Sequence, residues 1–324
     1  MTADAASHRA TRLGIAAILL GVLCISVNDV AMKTLSGGYP LHQLVFIRSI
    51  IGLSVSVALL HLEGGWHLLR TDRPGLHALR AVLVFVANMT FFAALAALPL
   101  ATATAVFFVA PLFTTLLSVP ILGAHVGPRR LLAVGVGFLG VLAMTAPGAD
   151  LGGAPRWALA LPIVAALAYA TMQLLTRKLG ASSRASALTI YIQVMFLVIT
   201  ALVYLVAGDG RFAEGITDPS LLFLLRAWVW PAPQDWGLLV LIGTLAGVVG
   251  YTLSQAYRLA EAATVAPFEY AALPLAIFWG WLIFGELPGL NTLTGIALIG
   301  GAGLYVFLAE GRRASLPPGP QNRP

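Results

Sequence analysis

The sequence predicts an all-α polytopic membrane protein of ten transmembrane helices, arranged as two inverted five-helix repeats. Three observations carry that expectation. Apolar runs long enough to cross a bilayer recur from Gly14 to Ala309. Charge is scarce: 10% of the 324 residues are charged and 59% are hydrophobic, with mean hydropathy +0.90, whereas a soluble domain carries about 25% charged residues. The two halves also share prolines and glycines in a common order. Each span needs about 20 apolar residues as a helix, which satisfies its own backbone groups in lipid.

Residues 1–13 are polar, with Arg9 and Arg12, and read as a short cytoplasmic segment. The apolar run that follows is longer than a signal-peptide core and lacks a small-x-small cleavage site, so it reads as a retained first helix. The spans fall at 14–35, 41–62, 76–97, 101–123, 130–147, 157–177, 185–207, 235–257, 263–285 and 291–309. Short connections make spans 3–4 and 9–10 tight antiparallel hairpins. Residues 208–234 contain "SLLFLLRAWVWPAPQDW", too short and too interrupted by Pro231 and Pro233 to cross. Trp228, Trp230 and Trp236 suit the headgroup level, so this segment predicts a short interfacial helix. The end, 310–324, reads as a disordered cytoplasmic tail.

A net charge of +6 in a soluble chain would suggest nucleic acid. Here the basic residues sit in short loops and speak to orientation. With the N-terminus cytoplasmic, fourteen of the 19 Lys and Arg fall inside, three (Arg156, Arg211, Arg226) outside, and Lys33 and Arg48 within spans. That asymmetry predicts an inner-membrane protein with both termini cytoplasmic and no nucleic-acid partner. The single cysteine, Cys24, excludes an internal disulfide and is too little for a metal cluster.

The repeat units read as 14–147 and 157–309. "VAPLFTTLLSVPILGAHVG" leads into "GVGFLGVLAM" in the first, and "ALPLAIFWGWLIFGELPG" into "GIALIGGAGLY" in the second. Pro111 matches Pro274, Gly123 matches Gly285 within a residue, and Gly140 matches Gly300. Lys33 matches Lys178 and Arg48 matches Gln193 at one shared offset. Five spans is an odd number, so the second copy enters the membrane upside down, as in carriers that bind substrate near the midplane.

These blocks, with the opening "ISVNDVAMKTL" and "QLVFIRSIIG", resemble the EamA type of the drug/metabolite transporter superfamily over about residues 14–309. The opening is similar to the branch that includes S-adenosylmethionine and riboflavin carriers. The resemblance implies a ten-helix carrier of small organic molecules, driven by a gradient or exchange. No GxxxxGK[ST] nucleotide loop is present, and no cofactor is expected. One departure stands out. Glu286 follows Gly285, but the first repeat has Ala124 after Gly123, so no role that needs symmetry is assigned to Glu286.

A charge at the centre of a transmembrane helix costs about 2.5–3.5 kcal/mol on insertion scales, so such groups face the bundle interior. Asp29 and Lys33 are one turn apart in span 1 and can pair along one face. Arg48 enters span 2 from the same side, so the three can converge. They form either a structural ion pair or a substrate or coupling site, and Lys33 alone can instead snorkel outward. Glu269 lies between Pro267 and Pro274 in "APFEYAALP" of span 9, and Pro111 breaks span 4. Paired interruptions in corresponding spans point to a transporter site. Burial disfavours a charged carboxyl, which makes Glu269 a candidate proton carrier; a helix-packing hydrogen bond is the alternative.

The uncharged candidates for substrate binding are Asn28, Asn88, Tyr169, Gln173, Gln193 and Tyr270, with Gln255 also polar within a span. Gln173 and Gln193 occupy second-repeat positions equivalent to Asn28 and Arg48. Interhelical hydrogen bonding is the simpler role for each alone. Phe107, Phe108 and Trp279 can stack on a flat ligand or simply pack. "GTLAG" at 243–247 predicts close helix contact.

The expected function is secondary transport of a small polar or amphipathic organic metabolite by alternating access, proton-coupled or by exchange. The partners are that substrate and the lipid bilayer, with the protein a monomer or homodimer. The alternatives are a membrane-embedded enzyme, for which the loops are short and poor in catalytic groups, and a scaffold, which leaves the charges within spans unexplained.

Overall fold

The computed structural model describes residues 3–71, 74–124, 126–146, 149–179, 185–260 and 262–314, with no strand among them. In chain order the helices are α1 (Ala3–Leu35), α2 (Leu41–Glu63), α3 (Pro74–Ala97), α4 (Leu100–Phe107), α5 (Ala110–Leu122), α6 (Pro128–Thr145) and α7 (Ala160–Leu179). There follow α8 (Ala185–Ala207), α9 (Pro219–Leu225), α10 (Trp236–Leu259), α11 (Ala262–Val265), α12 (Ala272–Phe284) and α13 (Leu290–Ala314). Among the described residues nine stretches are long and apolar enough to cross a bilayer, and Leu290–Val306 is a shorter apolar helix. The protein is an all-α polytopic membrane protein of about ten spans.

Two helix ends run past their expected edges. The α1 helix starts at Ala3 because "ADAASHRATR" is rich in alanine, the strongest helix former. The α13 helix continues to Ala314; residues 315–324 of the expected tail lie outside the described residues.

Spans 4 and 9 are interrupted. The α4 helix stops at Phe107, Phe108 and Val109 form a turn, and α5 resumes with Pro111 in its first turn, where a missing N–H breaks no helix bond. Span 9 opens as the short α11, tightens into a 3₁₀ turn over Ala266–Ala271 with Pro267 at its start, and continues as α12, whose third residue is Pro274. Both spans close alike. Gly123 (φ 67°, ψ 22°) and Gly285 (φ 66°, ψ 16°) are left-handed caps. Gly123 N–H donates to Val119 O at 2.9 Å and Ala124 N–H to Ser118 O at 3.2 Å. Gly285 N–H donates to Trp281 O at 3.2 Å and Glu286 N–H to Gly280 O at 2.9 Å. This is one glycine-capped ending built twice.

Packing repeats the theme. The α1 helix lies along α10 and touches α12; α2 packs on α8 and α10; α3 packs on α7 and α8; α7 packs on α4 and α5; α6 packs on α13. Exchanging the first five spans for the last five turns every one of these pairings into another of the same set. The "GTLAG" glycines let α10 press on α2: a Cβ on Gly247 would sit 3.3 Å from Gly52 O and against Val55, and Gly243 faces Ile51.

The segment between α8 and α10 folds over one end of the bundle. Asp218 caps α9 by accepting the Leu221 N–H at 3.0 Å. Gln43 donates to Val229 O at 2.6 Å and accepts Val229 N–H at 3.1 Å, so its amide pairs with the chain as a strand would. Tyr39 donates to Asp235 Oδ2 at 2.5 Å and accepts Ala232 N–H at 2.9 Å. The Asp235 hydrogen bond pushes the Tyr39 pKa up. Arg226 donates to Gly37 O. The expected headgroup tryptophans separate here. Trp230 is 86% exposed, whereas Trp228 packs against Tyr204, Phe46 and His42, with ring centroids 4.4, 5.4 and 5.8 Å away.

Candidate functional site

On α1, Ile18, Val22, Ser26 and Asp29 recur at helical spacing and are buried, while Leu19, Leu20 and Leu23 on the far side are exposed. Ser26 and Asp29 thereby line a small cavity of about 10 Å³ with Ile25, Leu100, Thr104, Ala272 and Ala276, on the order of one water in size. The walls come from α1, α4 and α12, so this space lies where both interrupted spans meet the first helix. Trp279 Nε1 donates to Ser26 Oγ at 3.2 Å from α12, and Asn28 Nδ2 donates to Asp29 Oδ1 at 3.3 Å. Asn28 Oδ1 is buried without a partner.

Arg48 is a buried cation with no carboxylate in contact among the described residues. Its guanidinium lies 5.2 Å from the Phe92 ring centroid and 5.8 Å from that of Phe196, and Nη2 donates to Asn88 Oδ1 at 3.3 Å. Its Nε is buried and unpartnered. Asp29 acts on it only through space. Cation–π contacts and one amide are modest compensation for a buried charge.

Lys33 does not pair with Asp29. Its Nζ meets Glu286 Oε1 at 3.0 Å and donates to Leu98 O at 2.6 Å and Leu95 O at 3.1 Å. Glu286 Oε2 in turn accepts the Leu100 N–H at 2.9 Å. The expected convergence of Asp29, Lys33 and Arg48 is thus corrected. Lys33 sits in the last turn of α1, and its long stem reaches the open carbonyls at the end of α3 and the acid beyond the α12 cap. The asymmetry that argued against a paired role for Glu286 is real, and Glu286 has an asymmetric role: from just beyond α12 its carboxylate ties α1 to α4, while its partner Lys33 holds the end of α3.

An aromatic chain runs through the interruptions. Phe91 and Phe107 have centroids 5.1 Å apart, Phe107 and Tyr169 5.5 Å, Phe107 and Phe108 6.4 Å, and Phe108 and Tyr270 4.9 Å. Phe108 occupies the span 4 turn and Tyr270 the span 9 turn, so the two breaks touch. Beside them the Tyr257 hydroxyl donates to Glu269 Oε1. Glu269 and Arg80 both act on the Tyr169 hydroxyl through space, and Arg80 Nε is buried without a partner.

Two glutamines stand apart from this cluster. Gln193 is 3% exposed but fills the notch left by Gly52, where an added Cβ would strike its amide. It belongs to the α2–α8 contact because glycine there leaves room for a side chain from the facing helix. Gln173, one turn beyond Tyr169, is exposed. Tyr257, Arg80, Phe91 and Glu286 were not among the expected site residues. Only Glu286 carried a visible signal, an acid directly after a helix-capping glycine.

The EamA-like transporter family matches residues 12–146 of this chain. A riboflavin transporter of Brucella anthropi is 30% identical over 83% of this chain and 89% of its own length. An S-adenosylmethionine uptake transporter of Rickettsia prowazekii is 26% identical over 93% of this chain and 95% of its own. A pseudopaline exporter of Pseudomonas aeruginosa is 29% identical over 87% and 92%. A solved crystal structure at 21% identity shares the fold, with TM-score 0.60 over 95% of this chain and 99% of that one. A membrane bundle of this packing, similar over most of its length to named carriers, is a small-metabolite transporter, and the chain belongs to the EamA-like transporter family of the drug/metabolite transporter superfamily.

Proposed function

We propose that the protein is a secondary transporter of a small organic metabolite bearing a flat heteroaromatic group, working by alternating access at the junction of two inverted repeats. The observation that carries this is the contact of Phe108 with Tyr270, which brings the two span interruptions together at 4.9 Å. Offset rings with centroids 4.5–7 Å apart stack on a flat partner in the same geometry. The interchangeable packing of the two halves supports the repeat, and the Lys and Arg asymmetry supports cytoplasmic termini in an inner membrane. The names of the relatives support a carrier and not an enzyme. They include an uptake protein and an exporter, so direction follows the gradients.

In this reading Asp29 and the unpartnered Nε of Arg48 take polar groups of the substrate, with Asn28 and Asn88 beside them. The Lys33–Glu286 pair and the segment between α8 and α10 close the outer side. Glu269, hydrogen-bonded to Tyr257, carries a proton. Labelled riboflavin and S-adenosylmethionine, offered to vesicles holding the purified protein under an imposed pH gradient, test this. Uptake or trans-stimulated exchange of either probe is expected, with a half-saturation concentration raised about tenfold in Phe108→Ala. Glu269→Gln is expected to transport without responding to the gradient. Neither probe moving, nor any other heteroaromatic metabolite, would overturn the substrate class.

A further inference from the structure

The α6 and α13 helices grip each other more than they grip any other helix. Their backbones meet at one crossing, and to one side of it small residues leave a groove along the seam. A Cβ on Gly140 would lie 3.0 Å from Gly295 O, and one on Gly295 would lie 2.8 Å from Gly140 O. The backbones therefore meet there. Arg129 lies eleven residues earlier on α6, about 16 Å along the axis. Over that distance the seam opens into a cavity of about 350 Å³, flanked by Leu132, Val136 and Tyr305 and floored by Ala133, Gly301 and Ala302. The flanking side chains are 70%, 40% and 45% exposed, so the groove opens sideways, toward bilayer. Arg129 stands at its end and has no hydrogen-bond or ion-pair partner among the described residues.

An apolar groove on a membrane-facing surface is filled by acyl chains or by another protein. The charge decides between them. Arg129 complements an anionic headgroup. A second copy placed about a two-fold axis on the seam would instead set Arg129 near its own equivalent. We propose that the α6–α13 groove binds an anionic phospholipid, with its phosphate at Arg129 and an acyl chain along Leu132, Val136 and Tyr305. This goes beyond the transport reading and shares with it only the orientation, which puts the lipid in the cytoplasmic leaflet.

The test is native mass spectrometry of the full chain in mild detergent after exposure to equimolar dioleoyl phosphatidylglycerol and phosphatidylcholine. The wild type is expected to retain phosphatidylglycerol over phosphatidylcholine by about fivefold. Arg129→Gln, at an exposed position, is expected to bring the ratio to near one, and Arg129→Lys to keep it. Gly301→Leu fits sterically, since nothing lies within 4 Å of its added Cβ, and fills the groove; retention of both lipids should fall. A phosphatidylglycerol preference unchanged in Arg129→Gln would overturn the proposal. So would a Gly301→Leu protein that retains lipid normally but changes from dimer to monomer, which would make the groove an interface between copies.

Discussion

Lys33 and Glu286, from the first span and the segment joining the last two, form an ion pair of 3.0 Å that also holds three backbone groups. Lys33 donates to Leu95 O and Leu98 O, and Glu286 accepts Leu100 N–H. Each residue has a part that its partner could not play. Truncating either side, as in Lys33→Met or Glu286→Gln, leaves a largely buried group short of partners and is expected to cost about 2 kcal/mol, somewhat below a fully buried pair. The charge swap Lys33→Glu with Glu286→Lys should not rescue, because an acid cannot donate to the α3 carbonyls. Thermal unfolding in detergent and vesicle transport check both; rescue by the swap would reduce the pair to simple attraction.

Asp29 and Arg48 are coupled through space and not by contact. Asp29→Asn and Arg48→Gln are each expected to lower transport at least tenfold. A double-mutant cycle on thermal stability is expected to give about 1 kcal/mol of coupling, within the range for groups sharing one polar network. Arg48→Lys should fail as well, since an ammonium does not reproduce the planar contact with Phe92 and Phe196. A cycle that closes to zero would separate the two residues.

The aromatic contact at the breaks separates ring from hydroxyl. Tyr270→Phe keeps the ring against Phe108 and is expected to hold transport within a few-fold. Phe108→Ala is expected to raise the half-saturation concentration roughly tenfold, the upper end of what one aromatic stacking contact contributes. Equal losses from both changes would place the role in the hydroxyl.

The crossing of α6 and α13 tolerates no side chain. Gly140→Val and Gly295→Val should each destabilise the protein by about 1–3 kcal/mol, read as a lower midpoint of thermal unfolding. Gly300→Ala is a control, since its added Cβ meets only Leu273 Cδ1 at 3.4 Å.

Tyr39 gives a pH dependence with a definite sign. Its hydroxyl donates to Asp235, so ionisation would set two negative charges face to face, and the pKa is raised above the ordinary tyrosine value. The tie is fully present below about pH 10, the unfolded tyrosine value, and is lost only as pH rises through the higher folded value. Protease access to the segment between α8 and α10 should therefore not change between pH 6 and 9, and should increase in Tyr39→Phe at any of these pH values.

Much of this was legible in the sequence because its causes are local. Apolar runs mark spans, and the glycines at 123 and 285 can end helices in a left-handed conformation. Asp29 and Arg48 stand out because charge is costly in lipid. The partner of Lys33 was not legible. An i, i+4 acid was its nearest neighbour in sequence, but the side chain reaches across the bundle to a residue from the far end of the chain. Gln193 shows what spacing alone does not supply: the repeat makes it the equivalent of Arg48, and the missing Cβ of Gly52, one turn from Arg48 on the facing helix, makes the room that its side chain fills. Tyr257 and Arg80 gave no local sign, since each matters only through what tertiary packing sets near Glu269 and Tyr169.

The most direct test of a central site gated by the Lys33–Glu286 pair is thiol labelling at Thr104, in the wall of the Asp29 cavity. With Cys24, the single native cysteine, changed to Ala, Thr104→Cys is treated with a membrane-impermeant maleimide from the outer side. Shielding with the pair intact, and labelling once Glu286→Gln is added, is the expected result. Equal labelling from outside with and without the pair would contradict the account.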